Sequence, residues 1–86
     1  MHDVIITDTC KKQLQKLKKQ NPKLTPKLIK VFDLLNKSPN HPTLRLHKLI
    51  GKNNWSVRVT QDIRLILRWH GSILLCVQIG THDEVY

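Results

Sequence analysis

The chain has 86 residues, with 15 lysines and arginines against 6 aspartates and glutamates, and a formal net charge of +9. A chain of this length supports one domain, residues 1–86, with one modest core that buries roughly 60 to 65% of the surface exposed on unfolding. No stretch approaches the roughly 20 apolar residues that span a bilayer, and the cations run along the whole chain, so the expected partner is a polyanion, nucleic acid before membrane, with an acidic protein compatible beside it.

Met1-His2-Asp3-Val4-Ile5-Ile6 carries neither a basic region ahead of an apolar stretch nor a small-residue cleavage site, so a cytoplasmic protein is expected. Val4, Ile5 and Ile6 form a β-prone run, and Thr7-Asp8-Thr9 offers side-chain oxygens for the free amides that open a helix. From Cys10 to Gln20 the apolar positions Cys10, Leu14 and Leu17 form one stripe, with Lys11, Lys12, Lys16, Lys18 and Lys19 around it. Asn21-Pro22 ends this helix. Thr25-Pro26 restarts one, the hydroxyl as cap and the proline in the first turn, and Leu28, Val31, Phe32 and Leu35 carry the helical period to Ser38-Pro39.

After Pro42 the period becomes two. Leu44 and Leu46, then Trp55, Val57 and Val59, then Ile63, Leu65 and Leu67 alternate with polar neighbours as half-buried strands. Gln61-Asp62 and His70-Gly71-Ser72 read as tight connections, and Ile73 to Ile79 as a more fully buried strand. The expected fold is α+β with the order β-α-α-β-β-β, a twisted and mainly antiparallel sheet with a two-helix hairpin on one face. Cys10 and Cys76, far apart and outside any Cys-x-x-Cys pattern, are expected to be reduced and buried.

The alternation that sends Trp55, Val57 and Val59 to the helices sends Ser56, Arg58 and Thr60 the other way, along with Arg64, Ile66 and Arg68 on the next strand. Arginines are therefore expected to converge on an uncovered sheet face, which is either a site or an ordinary solvated surface. Gly80-Thr81-His82-Asp83-Glu84-Val85-Tyr86 follows the last strand. A histidine exchanges protons near neutral pH, and the glycine is expected to let the backbone leave the strand sharply, with His82 at the mouth of a cleft. A frayed polar tail explains the same residues. His41 and His47 lack a spacing that brings both onto one ion, and with no Cys/His cluster, acidic pair or phosphate-cradling glycine loop, no metal or cofactor is indicated.

The two N-terminal helices, His47-Lys48-Leu49 followed by Gly51 and Trp55, the strand Ile63-Arg64-Leu65-Ile66-Leu67 and the seven-residue ending together resemble the RelE/ParE superfamily of bacterial toxins, and the ending is most similar to the YafQ-like endoribonucleases. The likeness spans nearly the whole chain, with its specificity in the ending and in the spacing of the sheet residues. It implies a type II toxin that cleaves mRNA on the ribosome and is held inactive by a cognate antitoxin, monomeric alone and hetero-oligomeric with that partner. It also implies roles for individual residues: His82 as general acid, His47 as general base or orienter of the nucleophile, Arg64 as the phosphate-binding arginine, Asp62 as an acidic site residue and Tyr86 as a ring that stacks on a base. Arg58 stands where YafQ-like relatives have a histidine and RelE-like ones a nearby lysine, so charge stabilisation is expected there in place of proton transfer.

The residue types suit that chemistry by themselves. Metal-free RNA cleavage needs a base for the 2′-hydroxyl proton, an acid for the leaving 5′-oxygen and cations on the phosphate, which imidazoles and arginines supply. For His47 a surface histidine in a basic loop is the competing reading, and for Asp62 a backbone-favoured turn residue. Lys48, Lys52 and Arg68, with the lysines of the first helix, are expected to add contacts to RNA through counterion release, although the helix lysines are equally a solvated face. A ParE-type gyrase inhibitor and an inactive RNA- and antitoxin-binding module are the alternatives.

Overall fold

Thr7 joins the first strand to the first helix and both to the last strand. In the computed structural model, which describes residues 2–49 and 53–85, β1 (Asp3–Ile6) ends at Thr7, whose Oγ1 accepts from the Cys10 N–H at 3.3 Å and caps α1 (Asp8–Gln20). The same hydroxyl donates to the Cys76 carbonyl at 3.0 Å. Asp8 in the first turn and Lys18 and Lys19 in the last complement the helix dipole. A 3-10 turn, Pro22–Leu24, then leads into α2 (Thr25–Lys37). Thr25 is not the cap expected of it: Leu24 holds that position without a side-chain bond, and the Thr25 N–H already donates to the Pro22 carbonyl of the turn.

Leu44 and Leu46 do not lie in a strand. Pro42–Leu44 form a second 3-10 turn, with His41 Nδ1 accepting from the Thr43 N–H at 3.2 Å, and Arg45 follows in the left-handed region at φ 50°. Proline's fixed φ and missing N–H suit the first turn of a helix better than a ladder. Only His47–Lys48 pair as β2, before β3 (Trp55–Arg58), β4 (Ile63–His70) and β5 (Ile73–Thr81), and the chain closes on a helical turn, α3 (His82–Val85). Among the described residues the sheet has five strands in the order β1-β5-β4-β3-β2, with β1 parallel to β5 and the other pairings antiparallel. The expected order therefore gains a two-residue strand and α3.

The core lies on one sheet face, where Val57, Leu65, Leu67, Leu74, Cys76 and Ile79 meet Cys10 and Leu14 of α1 and Leu28, Val31 and Leu35 of α2. Cys76 and Ile79, three apart, would point to opposite faces of a regular strand. A bulge reconciles them, because Leu67 pairs with Cys76 and the adjacent Ile66 with Gln78, leaving Val77 without a residue opposite. The cysteines are free and fully buried, as expected; burial pushes the Cys10 thiol up to about 11 and that of Cys76, beside Cys10, up to about 12. Where β1 no longer covers β5, α1 does so, and Gln13 Oε1 accepts from the Ile79 N–H at 2.9 Å.

The opposite sheet face is only partly open. Ser56 and Ile66 are buried there, outside the core cluster, and Val85 of α3, which packs on β4 and β5, is buried as well. The tail is thus a built element. Glu84 Oε1 accepts from the Thr81 N–H at 2.8 Å and Thr81 Oγ1 accepts from the Glu84 N–H at 3.3 Å, a reciprocal capping box. Gly80 does not bend the chain as expected, since it pairs with Arg64 inside β5 and lacks the positive φ that Gly71 has. A Cβ at position 80 would lie 3.1 Å from Glu84 Oε1 and 3.3 Å from Val85 Cγ1, so glycine there makes room for α3.

Candidate functional site

Residues directly opposite in a ladder share a face, so the register fixes what stands beside what on the side away from the helices. One row runs His47, Ser56, Ile66, Gln78 across β2 to β5, and the next runs Arg58, Arg64, Gly80 across β3 to β5. Arg45 lies two residues before β2 and borders the same cleft as Arg58. These rows enclose a cleft of about 250 Å³ lined by Arg45, His47, Arg58 and Arg64.

Two of the lining residues, Arg64 and His47, contact carbonyls of their own segments. Arg64 Nη1 donates to the Thr60 carbonyl at 2.6 Å and the Ile63 carbonyl at 3.2 Å. The β3–β4 turn that offers those carbonyls is in turn fixed by Thr60 Oγ1, which accepts from the N–H groups of Asp62 at 3.2 Å and Ile63 at 3.1 Å. The guanidinium is thereby anchored through one nitrogen, and its fork geometry leaves the Nε–Nη2 edge able to meet two oxygens of a phosphate. His47 Nδ1 donates to the Arg45 carbonyl across a long 3.4 Å. A carbonyl only accepts, so in this contact Nδ1 is the donor. Three guanidinium groups around one imidazole give the cleft the positive charge and the fork donors that suit a phosphate.

The remaining sequence candidates lie elsewhere or outside the described residues. His82 opens α3, two residues past the Arg58–Arg64–Gly80 row, and its N–H donates to the Asp62 carbonyl at 3.0 Å. Its exposed ring has Nδ1 3.8 Å from the Asp83 carboxylate, and His82 is not among the residues lining the arginine cleft. Asp62 borders a different, larger and more apolar cleft of about 570 Å³, with Thr60, Thr81 and the α1–α2 turn around it. Arg68 Nε donates to Asn54 Oδ1 at 3.0 Å, which ties it to the loop before β3, and Lys48 pairs opposite Trp55 with its side chain exposed. Gly51, Lys52 and Tyr86 lie outside the described residues.

No protein-family model and no curated protein matches this chain. Solved structures do. A mutant of YafQ from E. coli superposes with a TM-score of 0.85 at 23% identity, over 100% of this chain and 99% of that one. The YafQ fold is shared here. The E. coli DinJ–YafQ toxin–antitoxin complex matches at 0.80 and 26% over 99% and 97% of the two chains, and a YoeB/ParE toxin from Agrobacterium tumefaciens at 0.78 and 18% over 93% and 98%. The chain has the RelE/ParE-like toxin fold, and within that fold its own geometry must argue which side chains act.

Sequence reasoning missed Arg45, which enters the cleft because a 3-10 turn, and not a strand, precedes β2. It also missed α3, although Thr81-His82-Asp83-Glu84 carries the Ser/Thr-x-x-Glu signature of a capping box. Glu84 shows that cap electrostatically. Hydrogen bonds from the Thr81 backbone N–H and then its side chain hold the carboxyl below the ordinary value against a smaller opposing desolvation, with a weaker attraction from Lys16.

Proposed function

We propose that this chain is the toxin of a type II toxin–antitoxin pair and acts as an endoribonuclease on mRNA. The observation that carries the reading is the cleft in which Arg45, Arg58 and Arg64 surround His47, on a fold shared with a toxin solved in complex with its antitoxin.

In the proposed reaction the 2′-oxygen forms a bond to the adjacent phosphorus as His47 Nε2 takes its proton. The bond from phosphorus to the 5′-oxygen then breaks, and His82 protonates that oxygen. The products are a 2′,3′-cyclic phosphate and a 5′-hydroxyl. Arg64 grips the two non-bridging oxygens, and Arg58 and Arg45 add positive charge as the pentacoordinate state forms. Asp62 acts through the chain, since its carbonyl fixes the first amide of α3 and with it the position of His82. Tyr86 is proposed to stack on a base beside the cleaved phosphate, with Lys48, Lys52 and Arg68 as outer contacts to RNA.

The partners proposed are a translating ribosome in the cytoplasm and an acidic antitoxin, which would offset the +9 charge. The described residues contain no helix long and apolar enough to cross a membrane. The test is primer extension on a defined message in a reconstituted translation system, with and without ribosomes. Cuts at fixed codon positions that need ribosomes and disappear with His82→Ala are the expected result. Intact message under both conditions, with DNA damage signalling in cells that express the toxin, would overturn the reading in favour of gyrase inhibition.

A further inference from the structure

The arginine cleft is not isolated. Arg58, which lines it, also lines a second cleft, of about 200 Å³, where Lys27 and Lys30 of α2 face the end of β3. Lys27 in turn lines the larger cleft at the α1–α2 turn, together with Lys23. Shared walls set the three hollows side by side, as an interrupted furrow from the arginines past Lys30 and Lys27 to Lys23.

Two further observations give this furrow a ligand class. Lys27 and Lys30, three apart on α2, lie on one side of that helix, and Lys23 of the preceding 3-10 turn borders the same cleft as Lys27. All three are exposed, and none is ion-paired among the described residues, whereas Lys37 on the same helix is neutralised by Asp33 at 3.1 Å. Among the described residues, Asp62 is the one acidic side chain lining the three clefts, against six lysines and arginines. Leu24, Val31 and Val59 are buried apolar side chains that line the hollows beneath these cations.

The lysines of α1 have other surroundings. Lys16 borders a cleft with Glu84, and Lys18 an apolar groove between the helices. Neither borders the arginine cleft.

We infer that the Lys23–Lys27–Lys30 furrow is a binding track for single-stranded RNA, holding the nucleotides that flank the phosphate in the arginine cleft. The inference rests on the ribonuclease reading for what occupies the cleft at its end. It assigns the sequence-independent grip on RNA to the start of α2 and not to the lysine-rich α1.

The test uses the full chain and a labelled 2′-O-methyl oligoribonucleotide, which lacks the nucleophile and stays intact. Binding is followed by fluorescence anisotropy across a salt series for three proteins. These are the wild type, a variant with Lys23→Gln, Lys27→Gln and Lys30→Gln, and a control with Lys11→Gln, Lys12→Gln and Lys19→Gln. At about 0.7 per phosphate contact on a single strand, the furrow variant is expected to lose about 2 from the slope of log K against log salt, and the control much less.

Equal losses in both variants, or no loss in the furrow variant, overturn the track. Arg64→Gln, measured alongside, separates the two readings. A furrow-dependent affinity in a protein that cuts no message keeps the track and removes the nuclease, whereas ribosome-dependent cleavage with furrow-independent affinity does the reverse.

Discussion

Thr81 and Glu84 cap one another, each offering its side-chain oxygen to the other's backbone N–H, at 2.8 Å for the Thr81 amide and 3.3 Å for the Glu84 amide. This pair turns the last residues of β5 into α3 and sets the direction in which His82 leaves the sheet. Glu84→Ala is expected to unravel α3, with little effect on the core, because neither residue belongs to the core cluster. Cleavage should fall about tenfold or more while the melting temperature moves by a few degrees, roughly what loss of one cap implies. Intact cleavage by this variant would separate His82 from the reaction.

The same carboxylate predicts a pH dependence. Its folded-state pKa lies below the unfolded value, so the cap contributes fully above the unfolded pKa of an ordinary glutamate and is lost as pH falls through the lower folded value. The protection of the Thr81 and Glu84 amides, measured by NMR exchange relative to the intrinsic rate at each pH, should fall in the acid range below pH ~4.3. The amides of β4 should stay protected over the same range.

Gly80→Ala tests the room under α3. The new methyl meets Glu84 Oε1 and Val85 Cγ1 at 3.1 and 3.3 Å, and relief requires the cap itself to shift. Alanine's lower entropy loss in a strand, about 0.5 to 1 kcal/mol, offsets part of the cost. Thermal stability should therefore change by less than about 1 kcal/mol, with a larger proportional loss of cleavage.

Arg64→Lys keeps the charge and loses the fork. One ammonium cannot hold the Thr60 and Ile63 carbonyls and also meet two phosphate oxygens, so cleavage should fall about 10² to 10³-fold, in the range for removal of a transition-state donor. Single-turnover rates with saturating ribosomes would show this loss. A lysine variant within a fewfold of wild type would contradict the phosphate grip.

Arg45→Gly should pull stability and activity apart. The left-handed φ of 50° costs an arginine about 1 kcal/mol, and glycine removes that strain while loosening the unfolded chain. The melting temperature should hold or rise by a few degrees. Cleavage should drop with the loss of one of the three guanidinium groups that line the cleft.

Much of the fold was legible because its signals are local. Thr7 as a cap, Asn21-Pro22 as a stop and the period of two through Trp55–Val59 and Ile63–Leu67 all act between near neighbours. The parallel pairing of β1 with β5 has no local signal, and neither does the bulge at Val77, which only the competing demands of Cys76 and Ile79 on one core explain. At the candidate site, the juxtaposition of Arg58 and Arg64 follows from alternation about a tight turn. Arg45 depended on whether Pro42 began a turn or a strand, and His47 on the register of a strand only two residues long. Gly80 was read for its freedom of φ, but its missing Cβ is what the packing uses.

The pairing of β1 with β5 also sets a timetable. Asp3 lies beside Ile73 and Ile6 beside Cys76, so β1 must wait for β5 to be synthesised before its ladder hydrogen bonds can form. Such distant pairings slow folding, because chain entropy is lost before contacts compensate it. The sheet that carries the arginine cleft is therefore complete only once both segments are present.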